Sequence, residues 1–329
     1  MCDAHDDAHD DVHDDAHDDA HDDASDTAPY DYYSADISYN ELEHQIEGSD
    51  HGSECGREDA HKYPIHCPPD CMKRHIHRRP PCHRPRKQRV LFVRGFATDI
   101  PTDDSVDSYK HIRNYFVGND QFHVEWFEYG PNDLLSDVYA GLIKRIDMET
   151  PDVLIGHSMG GLLVYRYMAD RLDAGADIRT LPTPILLMAY LQEPPDMLYK
   201  GIKLIPSFIR NNLWLPFEVG FKSRDLWDEG NVLNRTRRIV STRQIYDAVG
   251  YQATTATELV AMLERMRAMM IIGRQDVNGG MLPETTLKEL RASDAVCLAE
   301  IDGKHEAFSS RKNSSVFFEV MDAMLRTIG

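Results

Sequence analysis

The sequence predicts an α/β protein: a mostly parallel sheet flanked by helices, with a helical cap insertion and a disordered N-terminal extension. Three observations carry that prediction. From residue 89 onward, short apolar runs alternate with amphipathic stretches, the pattern of repeated β–α units packed as a covered parallel sheet. The alternation breaks between Tyr190 and Arg267, which marks an insertion, and resumes at Met269. The first 60 residues have no periodic apolar face at all.

Charge divides the chain in the same places. The net charge of −19 is concentrated in residues 1–60, where 21 acidic residues face only Arg57. Residues 4–23 are five copies of Ala-His-Asp-Asp, with Val12 the one deviation. A four-residue period with two carboxylates per copy buries nothing, so a solvated tail is expected. His5, His9, His13, His17 and His21 would share one face of a transient helix, a spacing suited to loose Zn²⁺, Ni²⁺ or Cu²⁺ chelation.

Residues 61–88 read as a basic, Pro-rich linker. Cys67, Cys71, His75 and Cys82 have zinc-ligand chemistry, but their spacing matches no familiar zinc site. No structural metal is predicted. The adjacent acidic tail competes with nucleic acid for Lys73, Arg74, Arg78 and Arg79, so no nucleic-acid partner is expected. The start Met-Cys-Asp-Ala-His lacks the basic and apolar parts of a secretory leader, and no run of about 18 apolar residues suggests a membrane span. A cytoplasmic protein with reduced cysteines is the expectation, and nothing in the sequence fixes an oligomeric state.

The folded domain is expected at 89–329. Val90–Val93 is a short apolar run suited to a strand buried on both faces. Helix Ser105–Val117, strand Phe122–Phe127 and helix Asn132–Met148 follow, the second helix with Leu135, Val138, Leu142 and Ile146 on one face. Val153–Gly156 is the next strand, Met159–Leu172 a helix, and Pro184–Ala189 another strand. The insertion at 191–267 is expected to be helical. Its Ile205, Phe208, Leu213, Trp214, Leu215 and Phe217 either line an apolar pocket or form the insertion's own core. Strand Met269–Ile272, helix Pro283–Arg291 and strand Ala295–Ile301 resume the rhythm. A last helix then places Phe317, Val320, Met321, Met324 and Ile328 on one face.

The most informative stretch is Val153-Leu154-Ile155-Gly156-His157-Ser158-Met159-Gly160-Gly161. Strand, sharp turn and helix put a serine at the apex, with glycines two residues before and after it. These residues resemble the nucleophile elbow of the α/β-hydrolase family, in a form common among its lipases, esterases and thioesterases. The resemblance covers residues 89–329. It implies an acid and a histidine after later strands, and Asp276 in Gly273-Arg274-Gln275-Asp276 and His305 in Gly303-Lys304-His305 stand in that order.

It also implies an oxyanion hole from the N–H groups of Phe96 and Met159, worth roughly 3–4 kcal/mol per donor. Arg94 stands where the family usually has histidine before Gly95. The donor being backbone, that departure leaves the hole possible.

The expected roles follow from chemistry. A histidine, with a reference pKa of about 6.5, can take the Ser158 proton at neutral pH. Asp276 would orient His305, with Glu193 or Asp196 as alternative acids. The implied reaction passes through an acyl-enzyme, needs no metal or organic cofactor, and takes a small-molecule acyl ester. Phe208, Trp214 and Phe217 are candidate substrate-binding residues. A thioesterase or acyltransferase would use the same residues. From a different class, the domain would be a non-catalytic binding module serving a metal-binding His/Asp tail.

Overall fold

The computed structural model describes residues 65–66, 86–95, 109–130, 133–192, 201, 204–218, 237–276, 282–310 and 313–328, all within Glu58–Gly329. The Ala-His-Asp-Asp tract, the Cys67–Cys82 segment, Phe96, Glu193 and Asp196 lie outside them.

The centre is a seven-stranded sheet. In chain order its strands are β1 (Ile65–His66), β2 (Gln88–Val93), β3 (Phe122–Phe127), β4 (Val153–His157), β5 (Thr183–Leu187), β8 (Met269–Gly273) and β9 (Cys297–Ile301). A separate antiparallel pair, β6 (Trp214–Glu218) and β7 (Arg237–Ser241), intervenes in the chain. Across the large sheet the order is β1-β9-β8-β5-β4-β2-β3, and every pairing is parallel except that of β1 with β9.

The apolar strand runs explain the layers. In β2, Leu91 and Val93 enter one buried cluster while Val90 and Phe92 enter another. Leu154 and Val153 part in the same way, as do Met270 and Met269. Such two-fold alternation with both faces apolar is what a doubly covered sheet requires. One face carries α2 (Leu135–Glu149), α3 (Met159–Asp173), α6 (Ala256–Met266) and α7 (Glu284–Ala292). The other carries α1 (Lys110–Val117) and α8 (Ser314–Ile328). On α8, Phe317, Val320, Met321 and Met324 are buried, as the sequence spacing predicts. The smaller helices α4 (Ser207–Arg210) and α5 (Thr242–Val249) belong to the region between β5 and β8.

Several boundaries differ from the sequence expectation, for local reasons. Helix α2 begins at Leu135 rather than Asn132, because the Asp133 carboxylate accepts the Gly130 N–H at 2.6 Å and holds a turn ahead of the helix. Strand β5 stops at Leu187 because Met188 takes a left-handed φ of 42°. The described part of the first helix starts at Lys110, and 105–108 are outside the described residues.

Three strands were not foreseen. The β6–β7 pair stands in an insertion expected to be helical. Strand β1, within the segment expected as linker, adds an antiparallel edge to β9. Two residues flanked by Pro64 and Pro68 carry no periodicity, and such short proline-bounded segments suit only a sheet edge.

Candidate active site

β4 lies inside the sheet, between β2 and β5, and its end feeds directly into α3. Ser158 occupies the single residue between them, with φ 55° and ψ −121°. A positive φ at a non-glycine residue costs of the order of 1–3 kcal/mol and persists only where the surroundings impose it. Here they do: Ser158 N–H donates to Leu187 O at 2.9 Å, while Ser158 O accepts from Tyr190 N–H at 3.3 Å and Leu162 N–H at 3.2 Å.

The flanking glycines are required by close approach. A Cβ on Gly156 would come within 2.5 Å of Gly160 O, and one on Gly160 would overlap the carbonyl oxygens of Val93 and Arg94. The elbow therefore sits directly against the end of β2. A Cβ on Gly95 would lie 3.0 Å from Ser158 Cβ. Phe96, next in the chain, is outside the described residues. Met159 opens α3, where first-turn N–H groups have no partner within the helix and can face an anion.

Asp276 and His305 reach the serine from the ends of β8 and β9. Those ends are laced together: Arg274 N–H donates to Ile301 O and Gln275 N–H to Gly303 O, each at 2.9 Å. The result brings three sequence-predicted residues into one line. His305 Nδ1 is 2.8 Å from Asp276 Oδ2, and His305 Nε2 is 2.8 Å from Ser158 Oγ.

A carboxylate can only accept, so Nδ1 carries the proton and Nε2 is left to accept from the serine hydroxyl. Exposure is 0% for Asp276, 4% for His305 and 7% for Ser158, so these bonds act largely out of water. Such a group can deprotonate the hydroxyl and hold the resulting imidazolium.

The predicted substrate-binding residues are placed differently. Phe208 is 71% exposed and Trp214 39%, so neither is buried in a core of the insertion. Phe217 is on β6, paired with Arg238 of β7.

Sequence reasoning missed two side chains. His157 Nε2 lies 2.8 Å from the His305 carbonyl oxygen, and His157 Nδ1 lies 2.8 Å from Tyr109 Oη. Tyr109 Oη also accepts the Gly95 N–H at 2.9 Å. The elbow motif contains His157 and was a usable signal; Tyr109 immediately precedes α1 in no recognisable motif.

A covered parallel sheet whose central strand passes through a sharp turn directly into a helix defines a hydrolase-type fold. The profile of the alpha/beta hydrolase family matches residues 85–311, and the chain belongs to that family. Solved structures agree on the fold. A monoacylglycerol lipase of Paleococcus ferrophilus superposes with a TM-score of 0.54 at 17% identity, covering 73% of this chain and 95% of its own. A soluble variant of monoglyceride lipase from Saccharomyces cerevisiae does so with 0.50 at 14% identity, covering 73% and 86%. A search of curated proteins found no match.

Proposed function

We propose that the chain is a serine hydrolase that cleaves carboxylic esters of apolar acyl groups through an acyl-enzyme on Ser158. The observation that most supports this reading is the buried line Ser158–His305–Asp276, with both links at 2.8 Å and the serine on a positive-φ turn. In this reading His305 takes the serine proton as Oγ attacks the ester carbonyl, then returns it to the leaving alkoxide. Asp276 holds the imidazole and balances its charge. Met159 and Phe96 N–H groups receive the oxyanion, and water repeats the sequence to release the acid.

The part of the region between β5 and β8 that carries α4, β6 and β7 serves as a cap in this proposal. Phe208 and Trp214 are exposed there and can meet an acyl chain, with Phe217 beside them in sequence. The test is hydrolysis of p-nitrophenyl esters from acetate to palmitate by the full chain, with Ser158→Ala in parallel. Serine-dependent turnover with an optimum at some chain length is the expected result. Absence of both turnover and fluorophosphonate labelling of Ser158 would remove the reading. Labelling without ester turnover would mean that the donor is a thioester or that the acceptor is not water.

A further inference from the structure

The histidine in the line to Ser158 is held by more than its ring. His305 Nδ1 and Nε2 face Asp276 and Ser158, and its backbone carbonyl faces His157 Nε2. A carbonyl oxygen only accepts, so His157 carries its proton on Nε2 and donates there. With the ring neutral, His157 accepts at Nδ1, and the group 2.8 Å away, the Tyr109 hydroxyl, is the donor. That hydroxyl accepts in turn from Gly95 N–H. The directions are consistent along the whole path, from Gly95 N–H through Tyr109 Oη and His157 to the His305 carbonyl.

The path joins three elements that the proposed reaction needs in fixed relation. Gly95 stands two residues beyond the end of β2 and precedes the proposed oxyanion donor Phe96. His157 is the last residue of β4, next to the nucleophile, and His305 follows β9. The Tyr109 ring is 1% exposed and held from several sides. It stacks on Phe308 at 5.4 Å, meets Phe92 edge-on at 5.7 Å and lies under the Arg94 guanidinium at 4.8 Å. A hydroxyl carried on so constrained a ring is a fixed reference point. Displacements of about 1 Å in a reacting group can cost on the order of 100-fold in rate.

We propose that Tyr109, acting through His157, is a positioning residue that sets the His305 loop against Gly95. The proposal rests on the serine-hydrolase reading above. Tyr109→Phe keeps the ring and deletes the hydroxyl. Its kcat on a p-nitrophenyl ester, expressed per fluorophosphonate-reactive Ser158 so that unfolded protein is not counted, should fall about 10- to 100-fold. KM should stay within about twofold, because the path touches no substrate.

Two histidine replacements separate the arms. His157→Gln keeps a donor near the Nε2 position, facing His305. His157→Asn keeps an acceptor near the Nδ1 position, facing Tyr109. The Gln variant should retain more activity than the Asn variant. The Tyr109→Phe, His157→Asn double variant should lose less than the product of the two single losses.

Wild-type kcat per reactive serine in Tyr109→Phe, or losses that multiply in the double variant, would overturn the positioning role while leaving an active hydrolase. A wild type without Ser158-dependent turnover would remove the hydrolase reading and the role together. Imidazole ¹⁵N spectra of the full chain give a readout independent of turnover. His157 protonated at Nε2 alone supports the path, and protonation at Nδ1 alone overturns it.

Discussion

Ser158 Oγ and His305 Nε2 stand 2.8 Å apart although 147 positions separate them in the chain. Two distinct local structures produce that distance. The elbow lifts Ser158 off the end of an interior strand, while His305 hangs from a loop laced to the neighbouring end of β8. The hydrogen-bonded line is therefore built on the strand ends of the sheet.

Removing single members of that line should act very unequally on rate and stability. Ser158→Ala should lower ester turnover by a factor on the order of 10⁴ or more while leaving the unfolding midpoint little changed, since it keeps the Cβ on the turn and removes a single hydroxyl. Asp276→Asn should lower kcat by roughly 10³- to 10⁴-fold, because an amide NH₂ in place of the acceptor favours the wrong His305 tautomer. Steady-state kinetics beside thermal unfolding checks both. An active Asp276→Asn enzyme would transfer the acid role elsewhere, with Glu193→Gln the next variant to measure.

The sequence made most of the sheet legible because β2, β4, β5 and β8 carry short continuous apolar runs. Ser158, Asp276 and His305 were legible through their order along the chain and their places after strands. Tyr109 was not, because its role comes from a hydroxyl reaching Gly95 and His157, 14 and 48 positions away. Strand β1 was hidden by its two-residue length. In the insertion, β7 reads Arg-Arg-Ile-Val-Ser, whose arginines mask its β-branched pair.

Gly160 should tolerate no side chain. A Cβ there overlaps the carbonyl oxygens of both Val93 and Arg94, which are backbone atoms and cannot turn aside. Gly160→Ala must push α3 away from β2 or distort the elbow. We expect a loss of about 3 kcal/mol or more in urea unfolding, the upper part of the range for overpacking, together with a large fall in kcat. Gly175→Ala is the contrasting variant. Its φ of 86° disfavours alanine, but nothing lies within 4 Å of the added carbon. It should cost about 1–2 kcal/mol and leave turnover unchanged.

Glu300 on β9 is 4% exposed and takes a two-pronged bond from Arg291, with Nε to Oε1 at 2.6 Å and Nη2 to Oε2 at 2.8 Å. Arg274 Nε lies 3.7 Å from Glu300 Oε2. Glu300→Ala leaves the Arg291 fork without its buried acceptor and opens space beside the sheet. Since the Arg291 side chain is 31% exposed and can partly rehydrate, the expected loss is about 2–3 kcal/mol, below the range for a fully enclosed pair. Glu300→Gln keeps one acceptor and should lose less. Chemical unfolding of both variants checks the order.

Alkaline pH should destabilise the fold through its buried and half-buried tyrosines. Burial is the leading cause that raises Tyr115, Tyr129, Tyr139 and Tyr165 above the ordinary phenol value of 10.0, with Tyr165 pushed up to about 12. Asp322 beside Tyr115 and Asp170 beside Tyr139 add to the effect by disfavouring a second negative charge. The folded-state values are raised, so the folded chain holds protons that the unfolded chain releases. Their contribution is complete below the unfolded value near 10 and is lost as pH rises through and beyond it. Unfolding midpoints measured in steps from pH 8 to 11.5 should fall steeply only above about pH 10. Tyr139→Phe, which removes one raised phenol and its 2.6 Å bond to Asp170, should lower stability at pH 8 and flatten the decline at high pH. A decline of unchanged slope in that variant would show that Tyr139 does not contribute to it.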